Sequence, residues 1–282
     1  MNILFVCSGN TCRSPMAEGY LNSKKIKDIN AKSCGFMLKG EPVSENAAAV
    51  MSEIGVDISA HKSRLVSKDL LGADKIYCMG KAHKDALIGA GVNADKISVL
   101  GGGISDPFGG DISVYRACRD EIINAVDNLL YGGEILPFKI SLAEKSDIKN
   151  IAELEKVCFS SPWSEKSIED GMDYGTAFFK AEYNGEFAGY IGVTAVSGEG
   201  YINNIAVVPD LRKKGIGSLL LDRAVVFSRG QKLEFLSLEV RASNLTAINL
   251  YSKAGFKEEG VRKNFYENPK EDGIIMTRRF NV

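Results

Sequence analysis

Cys7-Ser8-Gly9-Asn10-Thr11-Cys12-Arg13-Ser14 decides the reading of the first half of the chain, because of what stands on either side of it. Before it, Asn2-Ile3-Leu4-Phe5-Val6 is a short apolar run of β formers. After it, Ser14-Pro15-Met16-Ala17-Glu18 reads as an N-cap followed by proline at the first helical position. A strand, a tight polar loop and a helix N-terminus together make an anion cradle. The backbone N–H groups of residues 8–13 can converge on one point, the helix end adds partial positive charge, and Arg13 offers a planar fork to two phosphate oxygens. Ser8, Gly9, Asn10, Thr11, Cys12, Arg13 and Ser14 are therefore the expected phosphate-binding residues. Cys7 lies at the floor of the cradle, where the field that binds a phosphate also favours a thiolate, so it is the expected nucleophile. The chemistry this suggests is phosphoryl transfer to sulfur.

Working outward, residues 31–36 read as a strand and residues 44–54 (SENAAAVMSEI) as an alanine-rich helix. Asp74-Lys75-Ile76-Tyr77-Cys78-Met79 and Lys96-Ile97-Ser98-Val99-Leu100 are further short strands, separated by a helical segment over residues 81–90. This alternation predicts an α/β fold, a parallel sheet with helices on both faces and a ligand site at the carboxyl ends of the strands. Asp106-Pro107-Phe108-Gly109-Gly110 interrupts the pattern before a last helix over residues 112–130. Phosphoryl transfer to Cys7 needs a proton for the leaving group and later a base for water, and a loop carboxylate over the pocket would supply both. Asp106 is the candidate. His61 and His83 stand apart, without metal-ligand spacing, and are expected on the surface; no metal site is expected.

The spacing of Cys7, Arg13 and Ser14 between a strand and a helix resembles the phosphate loop of the low-molecular-weight protein tyrosine phosphatases. That resemblance covers residues 1–131 and implies Cys7 as nucleophile, Arg13 as phosphate ligand and Asp106 as general acid on its Asp-Pro loop. Thr11, where tyrosine-directed members carry an aliphatic residue, and Asp106-Pro107-Phe108-Gly109-Gly110, in place of their tyrosine-bearing acid loop, are similar to the protein arginine phosphatase branch. A threonine hydroxyl suits a pocket that takes a guanidinium, whereas an apolar wall suits a phenol. Phosphoarginine is thus favoured over phosphotyrosine. Thioredoxin-linked arsenate reductases use the same loop but need two further nearby cysteines, and only Cys78 lies in the matching region.

Tyr131-Gly132-Gly133-Glu134-Ile135-Leu136-Pro137 breaks the last helix with two glycines and a proline, which sets expected domains of 1–134 and 135–282. At 282 residues the chain fits two domains on a prior of about 150 each. In the second, residues 138–142 read as a strand, 146–157 and 164–172 as helices, and 176–183 with 186–196 as a hairpin turning at Asn184-Gly185. Residues 201–209 form a strand that leads into Arg212-Lys213-Lys214-Gly215-Ile216-Gly217-Ser218, the start of an amphipathic helix reaching Phe227. Glycines at a helix N-terminus with three basic residues beside them make a second anion cradle.

This loop resembles the acetyl-coenzyme A loop of the GNAT acetyltransferases, a fold with a mixed, mostly antiparallel sheet. Phe159-Ser160-Ser161-Pro162-Trp163-Ser164, Leu238-Glu239-Val240-Arg241-Ala242-Ser243-Asn244 and Leu250-Tyr251-Ser252-Lys253-Ala254-Gly255-Phe256 are similar to the N-terminal alanine acetyltransferases of ribosomal proteins. The resemblance runs over residues 137–280. It implies acetyl-CoA as co-substrate, Glu239 as base for the amine, Tyr251 as acid for the departing thiolate and Asn244 as a coenzyme contact. Backbone groups of Ile205, Ala206 and Val207 would meet the pantetheine arm, and Lys213, Lys214, Gly215, Ile216, Gly217 and Ser218 would hold the pyrophosphate.

Composition bounds the partners. Basic and acidic residues number 15 against 16 through Glu134 and 20 against 20 after it, so neither half is a basic nucleic-acid module. No run of eighteen apolar residues and no signal-peptide pattern is found, and six cysteines at irregular spacing point to a reducing compartment; a cytoplasmic location is expected. Cys12 either packs the loop or forms a reversible disulfide with Cys7. The whole chain reads as a bifunctional enzyme acting on phosphorylated proteins and on the N-terminus of a ribosomal protein. The alternative is one enzyme joined to a module that only senses acetyl-CoA or binds substrate. The intact set Cys7, Arg13, Asp106, Glu239 and Tyr251 favours two live sites.

Overall fold

A computed structural model describes residues 1–280. The chain forms two compact units, Met1–Leu129 and Leu130–Val282.

In the first unit the elements are β1 (Asn2–Cys7), α1 (Arg13–Ser23), β2 (Asn30–Gly35), α2 (Glu45–Glu53), α3 (Lys68–Leu71), β3 (Lys75–Cys78), α4 (Lys81–Gly89), β4 (Ile97–Val99) and α5 (Ile112–Tyr131). The sheet runs in the order β2-β1-β3-β4 and every pair is parallel. All of β1 after Asn2 is buried, as expected for a central parallel strand covered on both faces. Leu4 and Val6 pack with Ile76, Cys78, Ile97 and Leu87 of α4, while Ile3 and Phe5, pointing the other way, are equally buried. The chain leaves β1 for β2 on one side and returns to β3 on the other. The carboxyl end of β1 is thus the switch point of the sheet, where a crevice opens by topology alone.

Ser14 does not cap α1. The helix starts earlier, at Arg13 with Cys12 as its N-cap residue, and no side chain caps it. Pro15 is still tolerated because the N–H of the third helical residue has no intrahelical acceptor. Ser14 is thereby freed to bond elsewhere.

The second unit holds β5 (Phe138–Leu142), α6 (Ile148–Cys158), α7 (Glu165–Asp173), β6 (Ala177–Tyr183), β7 (Glu186–Val196), β8 (Glu199–Val207), α8 (Ile216–Gly230), β9 (Phe235–Arg241), α9 (Leu245–Lys253), β10 (Lys257–Tyr266) and β11 (Glu271–Arg279). Its sheet order is β10-β11-β9-β8-β7-β6-β5. Asn184 and Gly185 both adopt positive φ, the type I′ geometry that a two-residue hairpin requires. Alternation along β6 sends Phe178 to the face covered by α6 and α7 and Phe179 to the opposite face, edge-on to Phe227 of α8 at 5.4 Å. All pairings are antiparallel except β8 with β9, which are parallel and joined only at their starts: Glu199↔Phe235, Gly200↔Leu236 and Tyr201↔Ser237. Beyond Tyr201 the two strands part, leaving backbone groups of β8 without a strand partner on the β9 side.

Gly35 closes β2 opposite Cys7. A Cβ there would stand 2.6 Å from the Ser8 carbonyl oxygen and 2.9 Å from the Asn10 nitrogen, both backbone atoms that cannot swing away. Gly35→Ala is therefore expected to cost about 1–3 kcal/mol, the usual range for overpacking, whereas Gly89→Ala, which meets nothing within 4 Å, should be neutral or mildly stabilising. Urea midpoints of the two variants check this.

Candidate active sites

The thiol of Cys7 sits at the switch point, against the uncapped end of α1. The Asn10 backbone N–H donates to its sulfur at 3.2 Å, and the Ser14 hydroxyl lies 3.0 Å from it. Asn10 Nδ2 donates to the Ser14 oxygen at 2.9 Å, which leaves the Ser14 hydroxyl proton for the sulfur or for the Cys34 carbonyl at 3.5 Å. Burial pushes the thiols of Cys34, Cys78 and Cys118 up to about 12, which keeps them protonated and unreactive.

Asn10 holds the loop in shape. It is buried and left-handed (φ 56°), a conformation asparagine tolerates better than most residues. Its Nδ2 also donates to Ser33 Oγ at 2.8 Å, and its Oδ1 accepts from the Arg64 backbone N–H at 2.7 Å. His61 Nε2 is 3.2 Å from both the carbonyl and the Oδ1 of Asn10. Both are acceptors, so the ring proton is on Nε2. Behind this layer Glu18 takes Ser33 Oγ at 2.5 Å and is ion-paired with Arg64. His83 Nε2 bonds Ser8 Oγ at 2.9 Å, and its ring stacks on Phe36 at 6.1 Å.

The two histidines are the main correction to the sequence reading. Both lie against the phosphate loop and not on the open surface, because the segments that carry them return to the crevice from residues 51 and 75 positions away. Nothing in their local sequence signalled this.

Arg13 donates through Nη1 to the Ile104 carbonyl at 3.2 Å and through Nη2 to the carboxylate of Asp106. The Asp106 side chain is about half exposed (51%), and its Oδ1 also accepts from the Phe108 N–H at 3.2 Å. Arg13 and Asp106 are thus brought together across 93 residues of sequence, at the loop that follows Cys7. Thr11 is half-buried on the same loop, with its Oγ1 3.7 Å from Cys12 Sγ. Cys12 itself is a free thiol that faces Ser44 and Tyr115, each at 3.4 Å. Among the described residues no group of three or more His, Cys, Asp or Glu is placed to hold a metal, and no helix is long and apolar enough to cross a membrane.

In the second unit Gly215, left-handed at φ 93°, is the N-cap residue of α8 and gives it no side-chain cap; Lys213, two residues before, is also left-handed at φ 63°. A succession of positive-φ residues before an uncapped helix points several N–H groups at one spot. Gly215 is there for its backbone angle. Gly217 is not required by the fold, since a Cβ on it would meet only the side chains of Leu250 and Val207 at ordinary contact distance; leaving that Cβ off keeps the cradle open. Lys213 and Ser218 are exposed beside the cradle, Ile216 is buried beneath it, and the Lys214 ammonium lies over the Tyr183 ring at 4.6 Å. Ile205, Ala206 and Val207 are on the parted end of β8. The Val207 carbonyl accepts from Arg212 Nε at 3.1 Å. These residues fit a pantetheine-linked diphosphate: bare helix N–H groups and a lysine for the phosphates, and unpaired strand backbone for the amides.

Glu239 stands on β9 opposite Ile275 and pairs with Arg262 at 2.7 Å. Tyr251, on α9, is buried, and burial together with the phenol of Tyr266 pushes its own phenol up. Tyr266 is pushed up in turn by burial and by the Glu239 carboxylate. Tyr266 was missed in the sequence, where it is one of ten tyrosines with no distinguishing neighbour. Asn244 caps α9, its Oδ1 accepting from the Ala247 N–H at 3.1 Å.

Residues 2–142 match the family model described as low molecular weight phosphotyrosine protein phosphatase, and residues 148–256 match the acetyltransferase (GNAT) family. A protein-arginine-phosphatase of Geobacillus stearothermophilus is 40% identical over 136 residues, which are 45% of this chain and 92% of that protein. The ribosomal protein bS18-alanine N-acetyltransferase of Escherichia coli (strain K12) is 35% identical over 139 residues, 49% of this chain and 94% of that protein. A crystal structure of the ribosomal-protein-S18-alanine N-acetyltransferase from Escherichia coli, 33% identical, covers 51% of this chain and 95% of its own with a TM-score of 0.49.

Burial, against the opposing charge of Glu18, lowers His61 from its ordinary 6.5, and burial with the charge of Arg13 lowers His83. The unfolded chain then takes up protons that the folded chain refuses, so stability is full above about pH 6.5 and falls as pH drops below it. The urea midpoint of the first unit is expected to decline from pH 7 toward pH 5, and His61→Asn to flatten that decline. Circular dichroism follows it, with the fluorescence of Trp163 reporting the second unit separately.

Proposed function

We propose that this chain, which belongs to the low molecular weight phosphotyrosine protein phosphatase family through residues 2–142 and to the acetyltransferase (GNAT) family through residues 148–256, is a bifunctional enzyme with two live sites. Its first domain, proposed as residues 1–134, hydrolyses phosphoarginine in proteins in preference to phosphotyrosine. Its second, residues 135–282, acetylates the N-terminal alanine of a ribosomal protein.

The observation that carries the first reading is the Cys7 sulfur held between the Asn10 N–H and the Ser14 hydroxyl, with Arg13 and Asp106 converging on the same crevice. The N–H groups of the loop and Arg13 hold the phosphoryl oxygens. Cys7 attacks phosphorus as thiolate, an S–P bond forms, and the bond from phosphorus to the guanidino nitrogen breaks. Asp106 gives that nitrogen its proton. As carboxylate, Asp106 then takes a proton from water, whose oxygen attacks phosphorus and releases Cys7 with inorganic phosphate. The preference for phosphoarginine is supported by Thr11 on the loop and by 40% identity to a protein-arginine-phosphatase.

The second reading rests on the uncapped, glycine-opened start of α8 beside the parted β8 and β9. Acetyl-CoA, the co-substrate of GNAT enzymes, would supply an activated acyl group there. Glu239 takes a proton from the incoming amine. Tyr251, kept protonated by burial, donates to the departing sulfur. The acceptor follows the name of the Escherichia coli relative, an alanine N-acetyltransferase of ribosomal protein bS18.

Assaying phosphoarginine peptides, phosphotyrosine peptides and acetyl transfer side by side tests both halves. Cys7→Ser should abolish dephosphorylation and leave acetyl transfer intact, and Glu239→Gln should slow acetyl transfer by about two to four orders of magnitude while sparing dephosphorylation. Parallel loss in either variant refutes two independent sites.

Specificity is tested by Thr11→Ile, which keeps the thiolate, the cradle and Asp106. Loss of a hydroxyl partner to a buried N–H costs about 1–3 kcal/mol, roughly five- to a hundredfold in kcat/KM. Phosphoarginine turnover should fall by that factor while phosphotyrosine turnover holds or rises. An equal fall on both substrates removes the arginine assignment.

A further inference from the structure

Arg241, at the carboxyl end of β9, joins two connections that are far apart in sequence. Its Nη1 donates to the Pro269 carbonyl at 2.9 Å and to Glu271 at 3.3 Å. Its Nη2 donates to the Asn268 carbonyl at 2.9 Å and to Ser160 Oγ at 3.1 Å. The guanidinium plane also lies over the Tyr266 ring at 4.3 Å. Ser160 belongs to the α6–α7 connection, which also carries Trp163; Asn268 and Pro269 form the β10–β11 turn. One side chain therefore serves four acceptors and a ring, which the planar fork of arginine permits and the single ammonium of lysine does not.

The position of this junction gives it a role. Arg241 is two residues beyond Glu239 on the same strand, so both side chains leave the same face of the sheet. Tyr266, beneath the guanidinium, closes β10, the strand that also carries Arg262, the ion-pair partner of Glu239. The two connections drawn together by Arg241 meet on the face of β9 that carries Glu239; the α6–α7 connection also begins beside the start of α8, where Arg212 Nη2 bonds Cys158 Sγ at 3.3 Å, two residues before Ser160.

We propose that Arg241 is a positioning residue for the acceptor: it ties the α6–α7 connection to the β10–β11 turn and so fixes the mouth through which the amine reaches Glu239. This rests on the acetyltransferase reading of the second unit. It makes no contact with the reacting atoms, so its removal acts on acceptor binding. Arg241→Gln keeps polarity and loses the fork. The KM for an alanine-initiated peptide should rise about ten- to a hundredfold, the worth of hydrogen bonds to a charged group, with kcat and the KM for acetyl-CoA held within about twofold. Arg241→Lys should fail to restore the peptide KM, because charge alone does not make the junction. Ser160→Ala, an exposed change that does not threaten folding, should raise the same KM about threefold.

A readout independent of turnover is acrylamide quenching of Trp163, the only tryptophan, whose backbone N–H is held by Glu155 at 2.7 Å. Quenching should increase in Arg241→Gln and in Ser160→Ala. A raised KM for acetyl-CoA, a fall confined to kcat, or full rescue by lysine each overturns the proposal. If the unmutated chain transfers no acetyl group to the peptide, the acetyltransferase reading fails. Quenching then decides the junction: increased access to Trp163 sustains it and unchanged access overturns it.

Discussion

The first unit depends on a helix end left without a cap. The leading N–H groups of a helix have no intrahelical acceptor, and here no side chain supplies one, so their partial charge falls on the sulfur of Cys7 and on whatever anion enters the crevice. A loop that points its amides inward is strained and polar. Its shape is kept by a buried layer of Asn10, Ser14, Ser33 and His61, with Glu18 and Arg64 behind. In that layer the donors and acceptors of Asn10 are all matched, although Arg64 Nε behind it is buried without a hydrogen-bond partner, and a side chain matched on every side specifies one loop geometry.

The second unit solves the same problem by a different route. Its cradle also ends on an uncapped helix, α8, but the space beside it comes from the sheet. β8 and β9 are joined for three residue pairs and then part, so strand backbone that would otherwise be paired is open to a ligand. Such an opening costs hydrogen bonds, and the long antiparallel ladders on either side, β6-β7-β8 and β9-β11-β10, supply the cohesion that allows it. In both units the proposed site offers chiefly main-chain groups at an interruption of regular structure, with side chains beside them suited to the chemistry.

Much was written locally. The cysteine loop, the glycine-marked start of α8, the Asn184-Gly185 turn and the Gly132-Gly133 break could each be read from a few adjacent residues, because strand period, helix start and turn conformation are set over short distances. Helix ends were less secure. α1 starts at Arg13 and not after Ser14, whose hydroxyl lies against the Cys7 sulfur instead of capping the helix.

The sequence by itself determined the order of elements, and it carries the proposed nucleophile, its arginine and the two proposed cradles in contiguous residues. Only the tertiary structure decided what surrounds them. His61, His83 and Arg64 reach the cysteine loop with Glu18 behind them, Arg262 pairs with Glu239, and Arg241 joins Ser160 to Asn268. Each of these pairings spans a stretch of chain whose path is fixed by strand order and packing, and no local propensity encodes which distant side chain a turn of the sheet will bring alongside.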